Sequence, residues 1–180
     1  MTVLATTLDA RLPTAIRTAR LSLVVPALAH VPEMALLANN KAIHQVLSRL
    51  PHPYMESDGR FFVENIARGD SEFAWAIEQA GAFVGVIGLH LLPGRLPELG
   101  YWLGQPHWGQ GFATEAGLAV VSAARAARAP GLRARALLDN NASRNVLKKL
   151  GFIEIGEDTD TTGTLTGRRV MQMRLEFDQR

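Results

Sequence analysis

The chain has 180 residues, 47% of them hydrophobic and 20% charged, a balance ordinary for a globular protein with its own core. It has no cysteine, which excludes disulfides, cysteine metal sites and a cysteine acyl-enzyme, and its formal net charge of +2 gives no bulk argument for nucleic acid. No run of about 18 apolar residues is present, and Met1–Asp9 has no basic stretch followed by an apolar one, so a cytoplasmic protein without a membrane partner is expected.

Residues 20–25, Arg-Leu-Ser-Leu-Val-Val, read as a first strand. Between 31 and 50, the spacing of Met34, Leu37, Ile43, Val46, Leu47 and Leu50 predicts one or two helices broken near Asn39-Asn40. Pro51-His-Pro53 ends that stretch. Ser57 or Asp58 then caps a helix through Phe61, Phe62, Ile66 and Ala67. Residues 72–78 and 82–91 flank Gln79-Ala80-Gly81 and predict a hairpin. Pro93-Gly94 turns the chain into a strand over 98–103. The next helix runs to about Ala129, carries a small-residue stripe (Ala113, Gly117, Val120, Ala124, Ala127) and stops at Pro130-Gly131. A strand over 132–138, a helix over 143–150 with Ser143 as a natural N-cap and Asn140 able to cap or turn the chain before it, and strands over 151–155 and 169–177 follow. A single domain over residues 1–180 is expected. The fold class is mixed α/β, with a central sheet of about six to seven strands flanked by helices.

One segment carries the chemistry: Tyr101-Trp-Leu-Gly-Gln-Pro-His-Trp-Gly-Gln-Gly-Phe-Ala-Thr-Glu-Ala116. Strand, glycine turn and helix start in succession gather free amides and the positive end of a helix dipole at one point, which suits a phosphate. No G-x-x-x-x-G-K-[ST] string exists, and Thr114 stands where a dinucleotide fingerprint needs its third glycine. The remaining reading is a pyrophosphate held by amides from Gly109 to Thr114. Residues 125–149 hold seven basic side chains against one acidic one. That excess points either to a polyanionic small ligand or to ordinary helix-end and solvated charges.

Three segments resemble the GNAT acetyltransferases, of the RimJ/RimL type. Trp108-Gly-Gln-Gly111-Phe-Ala113-Thr-Glu-Ala is similar to the family's acetyl-CoA pyrophosphate motif. Asn140-Asn-Ala-Ser143 followed by Leu150-Gly151-Phe152 is similar to its second motif, and Thr18-Ala-Arg20-Leu21-Ser-Leu23 to its opening strand. The likeness spans about residues 17–177 and implies the GNAT fold with acetyl-CoA as co-substrate and no metal. It implies direct acetyl transfer to a primary amine, either a protein N-terminus or a small molecule, by a monomer or homodimer. A non-catalytic acyl-CoA-binding module of the same fold is the alternative. The resemblance places the pantetheine between strands 98–103 and 132–138. A backbone N–H near Trp102 would hold the thioester carbonyl, and groups around Leu103 would pair with the pantetheine amides. Trp108, Gly109, Gln110, Gly111, Phe112, Ala113 and Thr114 would form the pyrophosphate loop, and Asn140 and Ser143 would contact the donor. Many family members carry a tyrosine where this chain has Leu147, so Ser143, one helical turn earlier, is the candidate acid for the leaving thiolate. Glu98 is the candidate base, directly or through water. Glu115, in the first helical turn, reads as dipole complementation. His90 reads as core or cleft lining, His107 as solvated, and the histidines show no metal spacing. Tyr54, Phe61, Phe62 and Trp75 read as core, although residues 52–60 lie where the family places its acceptor side. At pH 7 an α-amine is roughly a tenth neutral and a lysine amine below about one part in a thousand, so a weak base favours an α-amine acceptor.

Overall fold

The computed structural model describes residues 8–178; Met1–Thr7, most of the stretch behind the leader-free reading, lie outside the described residues. Strands β1 (Ile16–Arg17) and β2 (Leu21–Val24) lead to helices α1 (Val31–Ala38), α2 (Lys41–His44) and α3 (Glu56–Phe61), the last continuing as a π turn over Phe62–Ile66. The hairpin β3 (Glu72–Gln79) and β4 (Ala82–His90) is followed by β5 (Glu98–Leu103), α4 (Phe112–Ala126), β6 (Gly131–Leu137), α5 (Asn141–Lys149), β7 (Ile153–Thr159) and β8 (Arg169–Glu176). They form one eight-stranded sheet in the order β1-β2-β3-β4-β5-β6-β8-β7. That exceeds the expected six to seven because β1 is two residues long, too short to leave a periodic pattern.

Side-chain alternation divides the sheet into two faces. On one, Leu23, Trp75, Ile87, Leu89, Leu132 and Met173 pack against Phe112, Ala116, Val120 and Ala124 of α4 and Leu147 of α5. Burying one such large side chain is worth about 1.5–3 kcal/mol. The other face holds a smaller cluster of Met34, Tyr54, Ala74, Ala76, Phe83 and Val86 under α1–α3. The stripe on α4 is buried at Gly117, Val120, Ala124 and Ala127, and Gly117 makes room for Leu150 of α5 rather than for the sheet.

Several local expectations shift. Helix α4 ends at Ala126, short of Ala129, because Arg128 takes a left-handed φ of 59°. The N-cap of α3 is Met55, whose N–H donates to the Asp58 carboxylate at 2.8 Å, so Asp58 closes the first turn from inside the helix. Asn140, not Ser143, caps α5, its Oδ1 accepting from the Ser143 N–H at 3.1 Å. Tyr54 and Trp75 are core, but Phe61 is 58% exposed because α3 gives way to the π turn there.

Candidate active site

Strands β5 and β6 run parallel and share a single register pair, Glu98↔Arg133, anchored by the Arg133 N–H on the Pro97 carbonyl at 2.9 Å. Beyond that pair they part. The opening belongs to a cleft of about 460 Å³ lined by Gly100 and Trp102 from one face of β5 and Tyr101 and Leu103 from the other. It is bounded by Ile43 and Leu47 on the α2 side and by Gly109, Ala113, Asn140 and Ser143 on the α4–α5 side. The cleft therefore passes through the sheet.

The ladder decides which amides face this gap. Gly104 N–H bonds the Val84 carbonyl, and Trp102 is paired with Val86 in the same register. Antiparallel alternation then points the Trp102 amide at β4 and the Tyr101 and Leu103 amides at the gap. The Leu103 carbonyl already accepts the Trp108 indole N–H at 2.8 Å, which leaves the Leu103 N–H for a ligand.

At one mouth, Gly109 (φ 73°) and Gly111 (φ 80°) hold left-handed turns in front of α4, a conformation that glycine adopts without a steric cost. Gly111 is the N-cap and no side chain caps the helix. The first intrahelical bond runs from the Glu115 N–H to the Gly111 carbonyl, so the amides of Phe112, Ala113 and Thr114 are left for a ligand. Phe112 is 1% exposed, so only its backbone is available. Gln110 is exposed, its Nε2 donating to the Pro106 carbonyl, and Thr114 is half-buried. A flexible dianion held by amides at a 15-residue helix fits this geometry. Thus the residues present suit the pyrophosphate of acetyl-CoA, and Leu103, Asn140 and Ser143 line the same cleft.

Sequence reading gave Arg20 no part in this site. Its Nη1 donates to the Gln110 carbonyl at 2.9 Å and its guanidinium lies 4.7 Å from the Phe112 ring. Glu115 ties the same corner, accepting from Thr18 Oγ1 at 2.6 Å, the Arg20 N–H at 2.8 Å and Arg20 Nε at 2.6 Å. Desolvation alone would raise the Glu115 carboxyl, but these hydrogen bonds and the Arg20 charge hold it below its ordinary value. Glu115 thus joins α4 to the start of β2, in addition to the dipole complementation read from its place in the first turn.

Tyr101 was also missed. Its hydroxyl donates to Ser143 Oγ at 3.2 Å inside the cleft. Burial pushes this phenol above its ordinary value, with the Ser143 hydrogen bond acting the other way. Leu147, 2% exposed, fills the position of the family tyrosine. Alternation along β5 could have flagged Tyr101, because it shares a face with Leu99 and Leu103 and so looks toward α5.

Glu98 is placed differently. Its two oxygens are engaged by Arg133 and by Arg135 Nε, the latter at 3.2 Å. It lines a separate polar cavity and not the cleft. The basic stretch is likewise dispersed: Arg133 and Arg135 serve Glu98, Arg144 and Lys148 serve Glu154, and Arg125 lies over the Phe177 ring. It does not form one patch beside the pyrophosphate loop. His90 lines the polar cavity, its Nδ1 against Glu72 at 3.0 Å, while His107 is half-buried rather than solvated. Among the described residues no group of acidic and histidine side chains is arranged to hold a metal ion, and no helix is long and apolar enough to cross a membrane.

The family model described as an acetyltransferase (GNAT) domain matches residues 20–153. Among solved structures, the chain is similar to RimL, a ribosomal L7/L12 α-N-protein acetyltransferase in complex with coenzyme A, with a TM-score of 0.78 at 20% identity over 93% of this chain and 98% of that one. It is also similar to the microcin C7 self-immunity acetyltransferase MccE in complex with acetyl-CoA and AMP (TM-score 0.77, 21% identity, 94% and 99% covered). A third is an acetyl transferase from Salmonella typhimurium that modifies the N-terminal serine of the 50S subunit protein L7/L12 (TM-score 0.75, 21% identity, 93% and 99% covered). No curated protein matches the sequence significantly. With a family model covering most of its length and a glycine-turned helix start set against a split sheet, the chain belongs to the GNAT acetyltransferase family.

Proposed function

We propose that this transferase moves the acetyl group of acetyl-CoA directly to an α-amine, with Ser143, oriented by Tyr101, serving the leaving sulfur. The observation that carries the reading is the cleft through the sheet, which has the uncapped start of α4 at one mouth and the Tyr101–Ser143 pair inside it. The donor enters on the α4–α5 side and the amine on the α1–α3 side. The amine nitrogen attacks the thioester carbonyl carbon, and the C–S bond breaks as the tetrahedral intermediate collapses. The Tyr101 and Leu103 amides face the gap where the oxyanion forms. Tyr101 keeps its proton and fixes the Ser143 oxygen, so that the Ser143 hydroxyl proton points to the departing thiolate. Asn140 holds Ser143 in place through its N–H and offers its own amide to the donor.

Because Arg133 and Arg135 occupy both oxygens of Glu98, we assign Glu98 to positioning Arg135 and leave amine deprotonation to water. That suits an α-amine, of which roughly a tenth is neutral at pH 7. The test is incubation with acetyl-CoA and a panel of α-amines, ε-amines and polyamines, following thiol release. Release with α-amines is expected; tight acetyl-CoA binding without release from any amine would leave a binding module instead.

A further inference from the structure

Beside the cleft lies a second cavity of about 170 Å³, on the α1–α3 face. Arg135 lines both, so the two adjoin. The cavity wall is an ion-pair chain: Arg133 and Arg135 on Glu98, then Arg135 Nη1 on Asp160 Oδ1 at 3.1 Å. Two atoms of this chain have no partner. Asp160 is 2% exposed, and its Oδ2 accepts nothing; the Nε of Arg133, whose side chain is a quarter exposed, is buried and donates to nothing. Buried polar groups are nearly always satisfied. Both orphan atoms are closed to solvent, so they belong to the wall of the cavity and offer no contact to a ligand.

The rim adds two more arginines. Arg49 and Arg95 line the cavity and are exposed, and among the described residues neither has a carboxylate within 4.0 Å. The Arg49 Nη1 rests 3.0 Å from His90 Nε2, whose ring is turned by Glu72 on Nδ1 at 3.0 Å, so His90 takes up one N–H of Arg49 and no charge. Asp158 also faces the cavity, and with Glu98 and Asp160 it sets three carboxylates against Arg49, Arg95, Arg133 and Arg135, an excess of one positive charge. Guanidinium forks without a carboxylate are suited to binding one from outside.

We propose that this cavity is the acceptor subsite and that the acceptor is an amine bearing a carboxylate a few atoms away, bound through Arg49 and Arg95. The inference rests on the transferase reading for its reaction, but not for its binding. Two sources share this chemistry: a free amino acid and a peptide beginning with an acidic residue. The experiment compares L-alanine with L-alaninamide, and Asp-Ala-Ala-amide with Asn-Ala-Ala-amide, as acceptors by thiol release and as ligands by calorimetry in the presence of coenzyme A. The carboxylate-bearing member of at least one pair is expected to win by tenfold or more in affinity and in kcat/KM reckoned on the neutral amine, because the ammonium of free alanine is more basic than that of its amide. In the double variant R49Q/R95Q that ratio is expected to fall to near one, while acetyl-CoA affinity is unchanged. Preference in the first pair alone identifies a free amino acid, and in the second alone a peptide. No preference in either pair, or a preference that survives R49Q/R95Q, overturns the proposal. Arginine-dependent binding of the acidic probes without acetyl transfer would sink the transferase reading and leave this one standing.

Discussion

The Tyr101 hydroxyl donates to Ser143 Oγ at 3.2 Å, joining β5 to α5 across the mouth of the gap in the sheet. The two residues lie 42 positions apart and act as one unit. Ser143→Ala is expected to lower kcat by about 10²–10³, the range for removing one positioned hydrogen-bond donor to a developing anion. Tyr101→Phe keeps the packing and loses only the hydroxyl, so a fall of about tenfold in kcat with little change in KM is expected. Steady-state kinetics of the double variant tests the coupling: it should be no worse than Ser143→Ala alone, whereas multiplied effects would show that the two act separately.

Gly111→Glu is expected to weaken acetyl-CoA binding by at least about a hundredfold. The position holds φ at 80°, and a Cβ there would stand 3.4 Å from Arg20 Nη2. Left-handed strain of about 1–3 kcal/mol then combines with a negative charge beside the phosphates. Calorimetry with acetyl-CoA measures the loss. Leu118→Glu, at an exposed position of the same helix, should bind normally, and equal losses in both variants would remove the glycine turn from the site.

Glu115 sets an acid limit on stability. Its carboxyl sits below its ordinary value in the fold, so its contribution is complete above the unfolded-state value and is lost as pH falls through the folded-state one. Glu115→Gln should therefore cost about 1–2 kcal/mol at pH 7, at the low end for charged hydrogen bonds because Arg20 is half exposed. Thermal melts of the two proteins should converge as pH falls past the ordinary glutamate value and through the lower folded-state one. A gap that persists at low pH would assign the loss to packing.

Asn140 has two separable duties. Asn140→Ala should cost about 1 kcal/mol through the lost cap on α5. Asn140→Asp keeps the capping oxygen and should melt like the wild type. It lacks the amide nitrogen, however, so acetyl-CoA affinity should fall in both variants. Unchanged affinity in Asn140→Asp would reduce Asn140 to a cap.

What the sequence disclosed was local. The glycine turn, the helix after it and the strand before it are consecutive, and each leaves its pattern in adjacent residues. What it concealed joined distant segments. Glu98 looked like a free carboxylate on β5, yet Arg133 and Arg135 alternate onto the same face of the neighbouring strand and take it up. Alternation within β6 was readable; the register that sets those arginines opposite Glu98 was not, since parallel pairing leaves no local mark. Tyr101 was hidden in the same way, because its partner sits on a helix reached only after another helix and strand.

The divergence of β5 from β6 after one pair has a consequence for how the enzyme can change. On the reading proposed above, the sheet is a partition with a window, and each substrate keeps to its own room. The donor's room is walled by α4 and α5. The acceptor's room is walled by α1–α3 and by the loop before β8, where the Thr164 hydroxyl and Arg168 fasten onto the Leu47 and Gln45 carbonyls. Away from residues that line both spaces, such as Arg135, substitutions in the second room would leave the first unchanged, so new acceptors could be acquired without relearning how to hold coenzyme A.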